Sequence, residues 1–303
     1  MRVTVTGATG LIGSRLVAAL RARGNEVTVL SRDPQSARAA LGEVEGVRWD
    51  LMSELAPAQA LRGRDAVVHL AGESIAQRWT ASAKRAILES RVSGTRHLVE
   101  GLAAVAEDER PGVLVSSSGV GYYGARGEEP IDEETPPGTD FLAQTCVAWE
   151  SEARAAEALS VRVVRLRTGV VLDPRGGALA KMLPPFKLGV GGPVAGGSQY
   201  ISWVHTEDLV GIALAAIDGE RWQGAVNATA PEPERNREFS KALGRALHRP
   251  SLLPVPGAAL RLVYGEMAAT VTTGARALPA RALMNGYEFR YPRLDAALRA
   301  VLA

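Results

Sequence analysis

Two hydrophobic periods alternate along this chain. Short β-rich runs recur at "RVTVT" (2–6), "EVTVL" (26–30), "VRWDL" (47–51), "AVVHLAG" (66–72), "GVLVSSS" (112–118) and "VRVVRLRTGVVL" (161–172). Between them lie stretches of helical spacing. Ser14 to Arg23 carries Leu16, Val17 and Leu20 on one face and stops at Gly24. A long helical stretch runs from Thr80 to Ala106, and "DFLAQTCVAWE" (140–150) lines up Leu142, Cys146 and Trp149 at i, i+4 and i+7. Apolar strands separated by helices predict a parallel sheet covered on both faces, with right-handed crossovers. The expected class is α/β, a Rossmann-type doubly wound parallel sheet with a small, mixed C-terminal domain on the substrate side.

The texture changes after Asp173. The segment 174–199 is rich in Gly and Pro and predicts loops and short helices. "AVNATA" (225–230) reads as one more strand returning to the sheet, and "RPSLLPVP" from Arg249 as a linker. "PARALMNG" (279–286) has Pro at its first turn and Gly past its end, as a short helix would, and a last helix is expected from about Pro292 to Ala303. The domain reading is 1–172 for the doubly wound unit, 173–248 for mixed substrate-side segments and 249–303 for the C-terminal domain.

Composition narrows the function classes. Hydrophobic residues make 46% and charged residues 22% of 303, as in globular proteins, and the net charge of +2 comes from dispersed charges. No basic block marks a nucleic-acid or membrane surface, and no apolar run predicts a membrane span. One cysteine excludes an internal disulfide, and four scattered histidines offer no metal-ligand spacing, so no metal is expected. The chain enters a strand at once, so no signal peptide is expected and the cytoplasm is the expected compartment.

The chemistry begins at Gly7-x-x-Gly10-x-x-Gly13, directly after a strand and at the start of a helix. That context suits a dinucleotide: a tight turn, a backbone that comes close to a pyrophosphate, and a helix N-terminus with free N–H groups. At the end of the second strand, where a carboxylate would hold the ribose hydroxyls of NAD, stand Ser31 and Arg32. Arg32 can pair with a 2′-phosphate through its planar fork, so NADP is expected in preference to NAD. Asp33, next in sequence, is the one group there that could neutralise it.

With the glycine loop, "DL" at 50–51, "HLAG" at 69–72 and "YYG" at 122–124 in order, the chain resembles an extended short-chain dehydrogenase/reductase. More narrowly it resembles the atypical branch called the epimerase family proteins. The segments "TGATGLIGSRL", "HLAGESIAQRWTASAKRAILESRVSGT", "SSSGVGYYG", "GGSQYISWVHTEDL" and "LPARALMNGYEFRYPRLDAALRAVL" carry this resemblance from end to end. It implies Gly7, Thr9, Gly10, Leu11, Ile12 and Gly13 at the dinucleotide phosphates and Ser31 and Arg32 at the 2′-phosphate. It further implies Asp50 and Leu51 beside the adenine, and Leu70, Ala71 and Gly72 along the crevice.

One departure concerns catalysis. In the extended family a Tyr-x-x-x-Lys pair moves the proton, and its lysine also holds the nicotinamide ribose. Anchored on Glu150, those two positions hold Leu142 and Cys146, and neither can do that work. The candidates for the missing polar groups are Ser118, at the end of the fifth strand, and the phenols of Tyr122 and Tyr123. Serines bonding backbone and aromatics packing under a turn are equal readings of the same residues. Glu73, Trp79, Arg91, Lys181 and His205 are candidates for substrate contacts, with solvated helix faces and a structural histidine as alternatives. The expected function is an NADP-dependent oxidoreductase or epimerase-like enzyme on a small polar substrate. The alternative is a non-catalytic NADP(H)-binding protein with a redox-sensing or regulatory role. The resemblance also implies a homodimer through helices 80–106 and 140–158.

Overall fold

The strand–helix alternation closes into one seven-stranded parallel sheet. The computed structural model describes residues 1–303. Its first half runs β1 (Arg2–Thr6), α1 (Leu11–Ala22), β2 (Glu26–Ser31), α2 (Pro34–Leu41), β3 (Glu45–Arg48), β4 (Ala66–His69), α3 (Ala81–Ala103) and β5 (Val113–Gly119). A short β6 (Pro130–Ile131) precedes α4 (Phe141–Arg154), β7 (Arg162–Thr168), β8 (Val170–Leu172) and α5 (Gly177–Lys187). Then come β9 (Tyr200–Ile201), β10 (Trp203–His205), α6 (Thr206–Asp218), β11 (Gly224–Ala228), β12 (Glu234–Arg235) and α7 (Asn236–Leu247). The C-terminal part adds α8 (Gly257–Tyr264), α9 (Ala269–Thr272), β13 (Arg276–Ala277), α10 (Ala280–Met284) and α11 (Leu294–Leu302).

The sheet order is β11-β7-β5-β4-β1-β2-β3, with every pair parallel. The order reverses between β1 and β4, which opens a crevice beyond their carboxyl ends. The period of two in the strands sends alternate residues to opposite faces. Val3, Val5, Val27, Val29, Val68 and Val115 pack with Leu16, Val17 and Leu20 of α1 and Leu209, Ile212 and Ala213 of α6. Leu30, Val67, Leu114 and Val163 pack on the other face with Leu98, Leu102 and Ala153 of α3 and α4. The expected doubly wound fold is thus the one formed. A third core joins α5, α7 and α11 through Leu179, Phe186, Phe239, Leu243 and Leu298.

Three differences from the sequence reading have clear causes. The run at 161–172 is two strands, because Gly169 bonds Ala228 O while Val170 bonds Ser202 O. The chain there leaves the main sheet, and β8 pairs with β10 instead. The strand read at 47–51 ends at Arg48, after which Asp50 opens a turn. Helix α2, which the hydrophobic period does not announce, starts because Asp33 caps the amides of Gln35 and Ser36 and Pro34 fixes the first turn. No helix is long and apolar enough to cross a membrane.

Candidate functional site

Gly7 turns the chain at φ 65°, and a β-carbon there would stand 2.7 Å from the Leu70 carbonyl carbon. A β-carbon on Gly13 would lie 2.7 Å from Ala8 Cα, so α1 packs this closely on the turn after β1 only through glycine. Gly10 is the N-cap residue of α1 and no side chain caps the helix. The amides of Leu11, Ile12 and Gly13 therefore donate to nothing in the protein. Free amides at a helix N-terminus are a ready anion site. The exposed Thr9 and Gly10 leave it open.

The far wall is set by a buried polar chain. Thr6 Oγ1 accepts from the amides of Leu70 and Ala71 at 3.2 Å each and lies 2.8 Å from His69 Nδ1. With its lone pairs so engaged, Thr6 donates its hydroxyl proton to Nδ1. The ring proton then belongs on Nε2, facing Thr95 Oγ1 at 3.1 Å. His69 is fully buried, which holds its pKa at about 4, with Arg91 adding to the fall. This neutral histidine fixes the turn at Leu70–Gly72 on which the crevice depends.

At the end of β2, Asp33 spends its carboxylate on capping α2, with Oδ1 accepting from Gln35 and Ser36 and Oδ2 from Ser36 Oγ. It does not pair with Arg32, which is exposed and makes no ion pair. Ser31 Oγ accepts from the Asp33 amide. Asp50 Oδ1 accepts from Met52 N, while Leu51 packs into the space that a side chain at Gly94 would need.

The floor of the crevice comes from α3 and α4. Leu142 lies against Gly121, 3.3 Å from where its β-carbon would be. Cys146 is buried with Sγ 3.8 Å from Gly119 O; burial, and then the Glu150 charge, push its thiol up to about 11. Helix α4 contains neither tyrosine nor lysine. Four candidates gather around the loop at 73–80. Arg91 Nη1 donates to Glu73 O at 2.9 Å, Lys181 Nζ donates to Ala76 O at 2.6 Å, and Trp79 meets Phe141 edge-on.

Three sequence candidates are drawn into hydrogen bonds within the fold. Ser118 is buried and donates to Glu150 Oε1 at 2.8 Å, so its hydroxyl is already spent. Tyr123 is fully buried; it donates to Asn227 Oδ1 at 2.7 Å and accepts from Arg167 Nη1 at 3.0 Å. Burial pushes its pKa up to about 12, and no side of the phenol is left for a ligand. His205 is buried too, its Nδ1 accepting from Glu207 N at the start of α6 and its ring stacked on Tyr291 at 3.8 Å, while its Nε2 has no protein partner. Of the three catalytic candidates, Tyr122, half-buried beneath the Arg167 guanidinium, is the one whose hydroxyl bonds no protein group.

The pattern reading missed the cluster beneath these hydroxyls. Arg167 makes two bonds to Glu150, at 2.8 and 2.9 Å, and Arg165 adds a third at 3.2 Å. Burial works against the Arg167 charge, but its bonds to Glu150 and Tyr123 raise its pKa overall. Glu133 accepts from Asn227 N and Arg281 N, tying the cluster to the C-terminal part. The signal was present: arginines two apart on an otherwise apolar strand require a buried partner.

A doubly wound sheet with a glycine-lined, uncapped helix at its switch point defines a dinucleotide-fold protein. The chain belongs to the NAD dependent epimerase/dehydratase family, whose profile matches residues 3–228, and residues 255–301 match a domain of unknown function, DUF1731. It is 41% identical over 302 residues to the chloroplastic epimerase family protein SDR39U1 homolog of Arabidopsis thaliana, covering 100% of this chain and 87% of that one. It is 39% identical to the epimerase family protein SDR39U1 of Mus musculus, with 100% of both chains covered. The crystal structure of human SDR39U1 (isoform 2) with NADPH superposes with a TM-score of 0.88 at 36% identity, covering 99% of each chain. The atypical short-chain dehydrogenase/reductase group expected from the sequence is the one these relatives represent.

Proposed function

We propose that this chain binds NADP(H) across the β1/β4 crevice and acts as an oxidoreductase or epimerase-like enzyme on a small polar substrate. The observation that carries the reading is the set of free amides at Leu11, Ile12 and Gly13 beneath a turn closed by glycine. The exposed Arg32 at the end of β2 makes no ion pair, and with Asp33 committed to the cap of α2 it supports a contact to a 2′-phosphate. The human relative solved with NADPH lends support. A bound NADPH would supply hydride; the protein would orient the two reactants and exclude water.

With Leu142 and Cys146 on α4, Tyr122 is the one phenol near the end of β5 able to offer a proton, either directly or through water. A second reading, a non-catalytic NADP(H)-binding protein, draws support from the engagement of Ser118 and Tyr123 within the fold. The two separate in one assay: NADPH and, separately, NADP⁺ are incubated with panels of carbonyl compounds, alcohols and nucleotide sugars. Nicotinamide absorbance and product mass are followed together. Turnover that Tyr122→Phe lowers by about a hundredfold or more supports the enzyme with that donor, within the usual range for general acid catalysis. Tight NADPH binding with no turnover across the panels overturns it in favour of the second reading.

A further inference from the structure

The crevice lacks a cation on α4, where Cys146 stands, yet one reaches it from α3. The Arg91 guanidinium lies between the ends of β4 and α4: Nη1 donates to Glu73 O at 2.9 Å and to Ile87 O at 3.1 Å. Its Cζ lies over the Trp149 ring, 5.0 Å from the centroid. On the other side, a β-carbon on Gly72 would stand only 3.4 Å from Cζ, so glycine at 72 leaves the guanidinium room beside the crevice wall. No carboxylate makes an ion pair with it, and Nε and Nη2 donate to no protein group. The Glu73 carboxylate is near enough to act on its charge without pairing with it, while His69 and the Cys146 thiol nearby are neutral. A guanidinium held on one edge and unsatisfied on the other is a fork waiting for paired acceptors.

We propose that Arg91 is the positioning residue for the nicotinamide half of the cofactor, its free edge donating to the ribose hydroxyls in the role that α4 leaves unfilled. This rests on the NADP(H) reading above and adds a residue from a different helix to it. The planar fork suits two vicinal oxygens better than an ammonium would, and the stack on Trp149 holds its plane fixed. Gly72 and Glu73 O then belong to the same device, since together they set where the guanidinium can lie.

The test compares a whole cofactor with half of one. Wild type, Arg91→Gln and Arg91→Lys are titrated calorimetrically with NADPH and with adenosine 2′,5′-bisphosphate, which has no nicotinamide ribose. Arg91→Gln should weaken NADPH binding about tenfold or more, as the loss of a charged hydrogen bond does, and leave the bisphosphate within about twofold. Arg91→Lys should recover part of the NADPH affinity by restoring charge without the fork. Equal losses for both ligands would reduce Arg91 to a clamp on the 73–80 loop and overturn the proposal, as would an unchanged NADPH affinity. Wild type that binds neither ligand would overturn the dinucleotide reading itself, and this proposal with it. A wild type that binds both ligands while both variants match it defeats only the role of Arg91.

Discussion

His69 makes the wall of the crevice sensitive to acid. In the folded chain its pKa is about 4, against an ordinary 6.5, because burial and the nearby Arg91 charge disfavour the imidazolium. The folded value is depressed, so between those two pH values the unfolded chain binds more protons. The stabilisation is complete above about pH 6.5 and is lost as pH falls toward 4. At 1.36 kcal/mol per decade the gap is worth roughly 3 kcal/mol in full, and about 2 kcal/mol of it is gone by pH 5. Protonation would also place hydrogen on Nδ1, against the hydroxyl that Thr6 donates there, and so strain the turn at Leu70–Gly72. The assay is urea unfolding at pH 7, 6 and 5, followed by tryptophan fluorescence, for wild type and His69→Asn. Carboxylates and other histidines titrate in both proteins and cancel in the difference. The variant should start less stable and then lose about 2 kcal/mol less than wild type between pH 7 and pH 5. Parallel pH dependences would show that His69 does not carry this linkage.

Three further outcomes follow from buried geometry. Glu150→Ala leaves Arg165 and Arg167 without their carboxylate and should cost about 3–5 kcal/mol in urea unfolding, as broken buried pairs do; a cost near zero would contradict the assigned network. Gly13→Ala places a β-carbon against the backbone of Gly7 and Ala8, and should cost about 1–3 kcal/mol while weakening NADPH binding measured by fluorescence titration. Unchanged stability and binding would mean that the turn has slack. Cys146, buried with its thiol pushed up to about 11, should react with a thiol reagent at neutral pH only as fast as the protein opens; rapid labelling of the folded chain would contradict its burial.

Much of this was legible in the sequence, for reasons that differ from residue to residue. Gly7, Gly10 and Gly13 are local requirements of one turn, so spacing alone revealed them. The valine-rich strands announce a doubly covered sheet because both faces must be apolar. Long-range partners leave no such mark. Nothing in "SSS" says that Ser118 will meet Glu150, thirty-two positions on, or that Tyr123 will bond Asn227, 104 positions on. Arg32 and Asp33 are adjacent and opposite in charge, and only the cap on α2 shows that they do not pair. The break at Gly169 depends on Ser202 and Ala228, which arrive from distant segments. Arg91 stood out in the sequence only as a candidate substrate contact, because the glycine at 72 and the ring of Trp149 that flank its guanidinium come from other segments.

Whether the crevice reads a 2′-phosphate comes down to one comparison. NADPH and NADH are titrated calorimetrically into wild type and Arg32→Ala under the same buffer and salt. The account predicts saturable binding with NADPH the tighter ligand, and a loss of about tenfold or more for NADPH in Arg32→Ala with NADH nearly unchanged. Equal affinities for the two cofactors in wild type, or equal losses in the variant, would contradict it.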